Sequence, residues 1–171
     1  VRLGEGHVYG LSPDGRWALT APVDAKTRLV LLPTGAGASR TLPLEGLDRF
    51  LWTDFFPDGR RIVVLGSQAG RPLRLFALDV SGGPLQPIAP EGVVTNPNTI
   101  SPDGRSFPAF VAGQVRQRFR LHAVGGAEAT DVRGVEPGDG PIDWAEDGRT
   151  LFIAPAGDGG PSLRIFRLDT R

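Results

Sequence analysis

"LSPDGR" (11–16), "FFPDGR" (55–60), "ISPDGR" (100–105) and "WAEDGR" (144–149) are four near-copies of one hexapeptide. Their aspartates, Asp14, Asp58, Asp103 and Asp147, stand 44, 45 and 44 residues apart. Pro-Asp-Gly between apolar runs is a turn with a mechanism. Proline presets φ, the aspartate carboxylate bonds nearby backbone, and glycine takes the left-handed position without a Cβ penalty. A period in the forties with turns inside each unit is the mark of a propeller or a solenoid.

The runs around the turn decide between them. A short apolar run precedes each copy and ends at Leu11, Phe55, Ile100 or Trp144, and another follows from Arg16, Arg60, Arg105 or Arg149. Two such runs across a tight turn predict a hairpin. A third run comes next, "RLVLL" (28–32), "RLFAL" (74–78), "QRFRL" (117–121) and "RIFRL" (164–168). Aligned on its last leucine, it puts Val30 and Leu32, Phe76 and Leu78, Phe119 and Leu121, and Phe166 and Leu168 inward, the period-two pattern of a strand. A fourth, weaker run carries Pro43, Pro87 and Pro90. Proline cannot donate to a ladder, so this run belongs on an outer edge, which it also guards against stray pairing. Pro108, inside a second strand, is expected to bend or fray the third unit. No segment keeps a helical period.

Each unit therefore predicts a four-stranded antiparallel sheet. Repeated radially, such sheets make an all-β propeller of four blades. One propeller region covers 1–171, with units at about 1–35, 36–82, 83–125 and 126–171. The last unit stops before an outer strand, while the chain opens on "VRLG", similar to "DVRG" at 131–134. Either 1–3 completes that last blade and closes a four-bladed ring, or the chain is part of a larger propeller. An open arc would expose apolar blade faces and self-associate.

Composition excludes several classes of function. The 19 basic and 19 acidic residues balance, so nothing marks the chain for nucleic acid or an anionic membrane. No apolar run is long enough to span a bilayer. With no cysteine there are no disulfides and no thiolate metal sites. There is no methionine, even at position 1, which reads as a processed product or a piece of a longer protein.

Candidate chemistry is thin. The repeat residues Asp14, Gly15, Asp58, Gly59, Asp103, Gly104, Asp147 and Gly148 are expected to be structural, each aspartate capping its own turn. Asp131, Glu136, Asp139, Asp143, Glu146 and Asp147 cluster in sequence and read as a solvated rim. "PTGAGASRT" (33–41) lacks the lysine and the helix of a phosphate loop and reads as a hairpin turn. His122, just past its strand's last leucine, is expected at an exposed turn-opening position. His7 opens an inner strand and could face a ligand. Trp144 shares the apolar slot of Leu11, Phe55 and Ile100 and is expected in the core. Trp17 stands in a slot otherwise held by Arg61, Ser106 and Thr150, where an exposed indole would anchor a partner. Trp52, beside Phe50 and Leu51 in what reads as a connecting segment, is a further contact candidate. No serine has a recognisable base and the nucleophile-elbow pattern is absent. No catalytic residue, metal or cofactor is expected.

"SPDGR" with its following strand, together with "LRLFALDVSGG" (73–83), resembles the WD-repeat-like unit of TolB-type propellers across nearly the whole chain. Similar units occur in the periplasmic TolB protein, in prolyl-oligopeptidase-like peptidases and in bacterial eukaryotic-like serine/threonine kinases. "LVLLPTGAG" (29–37) and "GVEPGDGPIDWAEDGRTLFI" (134–153) with "LRIFRLD" (163–169) are most similar to the kinase-associated group. The resemblance implies a non-catalytic interaction or sensory module for a protein or peptide partner, accessory to a bacterial kinase, in a periplasmic or other extracytoplasmic place. The alternative is the gating propeller of a prolyl-oligopeptidase-like hydrolase whose catalytic domain lies outside these residues. Glu146 in place of the turn proline departs from the pattern.

Overall fold

A computed structural model describes residues 4–24 and 26–156, together with the strand 166–169. The expected closure through 1–3 lies outside the described residues. The chain divides into two compact units, Val1–Glu91 and Gly92–Arg171.

The first unit holds two sheets. In one, β1 (His7–Leu11), β2 (Trp17–Ala21), β3 (Arg28–Pro33) and β4 (Arg40–Pro43) lie in chain order, each antiparallel to the next. In the other, β5 (Arg49–Phe55), β6 (Arg61–Ser67), β7 (Arg74–Asp79) and β8 (Gln86–Pro87) repeat that meander. The second unit holds β9 (Val93–Val94), β10 (Ser106–Val111), β11 (Arg120–Ala123) and β12 (Ala129–Asp131), then β13 (Gly140–Trp144), β14 (Thr150–Ala154) and β15 (Phe166–Asp169). The last sheet shows three strands among the described residues. Pro43 and Pro87 sit on the edge strands β4 and β8, where a missing N–H does no harm. Pro90 follows β8 outside any strand.

Within the first unit the two sheets share one core. Leu19, Leu29 and Leu31 from one side meet Phe55, Ile62, Val64 and Phe76 from the other. In the second unit Phe119, Val135, Trp144, Leu151 and Ile153 do the same. Burial of a large apolar side chain is worth about 1.5–3 kcal/mol, so these seams are the main stabilising feature of each unit. They also explain why one repeat slot has different fates. Phe55 and Trp144 are each 8% exposed, because each belongs to the following sheet of its unit and plugs the seam. Leu11, on the leading sheet of its unit, is 61% exposed.

Two expectations about the third strands are corrected. In β3 the buried residues are Leu29 and Leu31, while Val30 and Leu32 are half-buried. Among the third strands, β7 is the one buried on both faces. In the third sheet, alignment on the leucine is wrong by one residue. Ile62 pairs with Leu78, and Ala18 with Leu32, but the equivalent Phe107 pairs with His122. His122 is therefore no exposed turn residue. It fills a leucine slot at 8% exposure, stacked on Phe107 at 5.7 Å between ring centroids. Its Nδ1 finds no hydrogen-bond partner among the described residues. Burial, with the Arg120 charge adding to it, holds its pKa below the ordinary histidine value.

Pro108 leaves β10 continuous over Ser106–Val111, and the loss falls on its partner. β9 keeps two residues, facing Val111 and Phe110. Beyond them Thr95 donates its hydroxyl to the Pro108 carbonyl at 2.5 Å. Thr53 makes the same bond to Val63 at 2.8 Å in the second sheet, where the ladder runs on to Phe55.

Candidate functional site

The four repeated turns share one geometry. The residue before Pro/Glu-Asp-Gly closes the reversal by donating its N–H to the carbonyl five positions on: Ser12 to Trp17, Phe56 to Arg61, Ser101 to Ser106 and Ala145 to Thr150. The glycine N–H returns to that residue's carbonyl, and the glycine φ lies between 64° and 69°, the left-handed region. Each carboxylate is engaged locally. Asp14 accepts from the Arg16 N–H and the Ser12 hydroxyl, and Asp103 from the Arg105 N–H and the Ser101 hydroxyl. Asp58 takes the N–H groups of Arg60 and Arg61 and the Arg61 side chain at 2.8 Å. Asp147 takes the N–H groups of Arg149 and Thr150 and the Thr150 hydroxyl.

These bonds stabilise the charged form. The hydroxyls of Ser12 and Ser101 do most to hold Asp14 and Asp103 below the usual carboxylate range, and the Arg149 N–H does so for Asp147. At Asp58 burial opposes ionisation, but the Arg60 N–H and the Arg61 guanidinium outweigh it. Such carboxylates are poor proton shuttles. The remaining acids are dispersed: Asp131 pairs with Arg120 at 2.7 Å, Glu136 with Arg118 at 3.0 Å, and Asp143 caps the Trp144 N–H. Among the described residues no three of His, Asp and Glu stand together as metal ligands.

His7, Trp17 and Trp52 do not converge. His7 opens β1 opposite Ala21 and is exposed. Trp17 opens β2 at the other end of that strand, opposite Pro33. It is half-buried rather than fully exposed: it packs against the unit's core, and the Arg40 guanidinium lies 4.8 Å from its ring centroid. Trp52 is not in a connecting segment. It lies inside β5 opposite Leu65, half-buried, beside a bulge that leaves Leu51 exposed. A bulge adds a residue without a partner, so strict alternation is lost and the strand is hard to see in sequence.

One feature went unseen in the sequence. A cleft of about 380 Å³ in the second unit is lined by Val94, by the β10–β11 connection 112–117 and by 138–140. It sits at the end of the sheets away from the Pro/Glu-Asp-Gly turns, because antiparallel connections alternate ends. The β10–β11 connection has eight residues against six between β6 and β7, a difference that only the strand ends in the structure reveal.

No family model matches the chain and no curated protein matches it. Among solved structures it is similar to one described as a "putative TolB" from Agrobacterium tumefaciens, with a TM-score of 0.69 and 19% identity. The match covers 96% of this chain and 57% of that one, so the chain spans little more than half the length of that structure. The likeness is one of fold. The chain has an all-β propeller fold like that of this structure, its four blades the four antiparallel sheets described above.

Proposed function

We propose that the chain is a non-catalytic binding module whose blade ends present loops to a protein or peptide partner. The observation that supports this best is the use of the four repeated aspartates. All four carboxylates hold their own turns, so the strongest signal in the sequence builds scaffold and leaves specificity to the loops that vary. Trp17, flanked by Arg40, Trp52 with its exposed neighbour Leu51, and His7 are the proposed contact residues, Trp and Arg being the side chains that dominate interface energies.

A displayed peptide library panned on the immobilised protein tests this. Selection should converge on a motif whose binding falls at least about tenfold in Trp17→Ala or Trp52→Ala. A selection that never converges overturns the reading. The finer assignment, an accessory region of a bacterial serine/threonine kinase, rests on the similarity of 29–37, 134–153 and 163–169 alone. A kinase domain encoded upstream in the same reading frame would support it, and a hydrolase domain downstream would replace it.

A further inference from the structure

The cleft of the second unit has the make-up of a small recognition site. Its volume of about 380 Å³ falls within the range of ligand pockets, and its wall is mostly apolar, from Val94, Phe110 and Val115. Val115 is 89% exposed, an aliphatic side chain held in water at the mouth. Gly138 and Gly140 line the facing side. Gly138 has a φ of 98°, and a Cβ there would stand 2.9 Å from the Ala156 Cβ, so glycine keeps this wall low.

Arg116 is the cation of the cleft. Among the described residues no carboxylate lies within ion-pair distance of it, although Arg118, two positions on, pairs with Glu136. Its φ is 52°, a left-handed conformation that strains a non-glycine residue and persists where the surroundings hold it. Gln117 braces the same loop. Its side-chain amide accepts the Val111 N–H at 3.0 Å and donates to the carbonyls of Val111 at 2.6 Å and Gln114 at 3.3 Å. The Gly138 N–H donates to the Gln117 carbonyl at 3.0 Å, tying the two walls together. Asp139, the one carboxylate lining the cleft, has both oxygens on backbone N–H groups, those of Glu136 and Ala156. The clamp thus braces the loop that carries Arg116, whose exposed, unpaired side chain lines an apolar hollow.

We infer that this cleft binds a peptide through an acidic side chain held by Arg116, with an adjacent aliphatic side chain against Val94, Phe110 and Val115. This rests on the reading of the chain as a peptide-binding module and names the site and the chemistry it selects. Guanidinium and carboxylate form charge-assisted, frequently two-point hydrogen bonds, and the apolar wall supplies the area that a lone ion pair lacks.

Titration of the isotope-labelled protein with acetyl-Leu-Glu-Leu-amide, and with its Gln and Lys counterparts, tests the inference by amide chemical shifts. The Glu peptide should bind about tenfold more tightly than the Gln peptide, with the Lys peptide weakest. The perturbed amides should fall in 110–117 and 138–140. Arg116→Asn keeps a residue that tolerates the left-handed backbone and should erase the preference, while Arg116→Lys should keep part of it. Equal affinity for the Glu and Gln peptides in the unaltered protein overturns the inference, whatever the variants do. So does a preference that survives Arg116→Asn. Shifts confined to other loops overturn this site and leave the wider reading standing, which the library selection decides separately.

Discussion

The indole N–H of Trp144 donates to the carbonyl of Thr99 at 2.8 Å, joining residues forty-five apart in the chain. Trp144 ends the inner strand of the fourth sheet, and Thr99 lies in the stretch that leads from β9 to the turn of the third. The Thr99 hydroxyl lies 2.7 Å from that of Thr95, which donates to the Pro108 carbonyl. Side chains thus take over where the β9 ladder stops.

Trp144→Phe keeps most of the apolar surface and removes the donor, leaving a buried carbonyl unsatisfied. It should cost about 1–2 kcal/mol in urea denaturation, and Trp144→Ala about 3–5 kcal/mol. A Phe variant as stable as the parent would show that the bond contributes nothing.

Thr95→Val and Thr53→Val remove equivalent hydroxyls from unequal settings. At Thr53 the bond supplements a continuous ladder, and about 1 kcal/mol should be lost. At Thr95 it replaces the ladder and is shared with Thr99, so the loss should be larger. The reverse order, measured by the same denaturation, would assign no special role to the threonine pair.

His122→Leu restores the residue found at the equivalent positions Leu32 and Leu78 and removes an unpartnered buried nitrogen. It should stabilise the protein by about 1 kcal/mol. It should also change the pH profile. The folded-state pKa of His122 lies below the ordinary 6.5, so the unfolded chain takes up this proton first. Stability is therefore complete above that value and falls as pH drops below it. Melting temperatures between pH 7.5 and 5 should decline in the parent and stay flatter in the leucine variant.

The turn aspartates act in a lower window with the same sign. Their carboxyls titrate below the ordinary 3.8 when folded, so stability is lost as pH falls through and beneath that value. Asp103→Asn should make melting less steeply dependent on pH between 4.5 and 3 than in the parent. An unchanged slope would mean that Asp103 is protonated at the same pH in both states.

What was legible in the sequence was whatever short-range chemistry settles. A left-handed glycine beside an aspartate that can reach its own backbone defines a reversal within six residues, so all four reversals were readable from "LSPDGR", "FFPDGR", "ISPDGR" and "WAEDGR". Prolines at 43 and 87 marked outer strands because a missing donor is tolerated only there. Register was less secure. Leu121 looked like the counterpart of Leu78, yet a slip of one residue put His122 in the slot, and no local rule forbids a histidine in a strand. The β5 bulge hid Trp52 inside a strand for a related reason, since an extra residue breaks the period of two.

The chain by itself determined that it folds as four successive antiparallel meanders, because turn geometry and strand alternation depend on neighbours a few bonds away. Tertiary structure alone decided that Leu11 is exposed in the slot where Phe55 and Trp144 are buried, that Arg40 lies over Trp17, and that Arg116 lines an apolar cleft. Burial, cation placement and cleft shape depend on which surfaces meet, and residues far apart in the chain supply those surfaces.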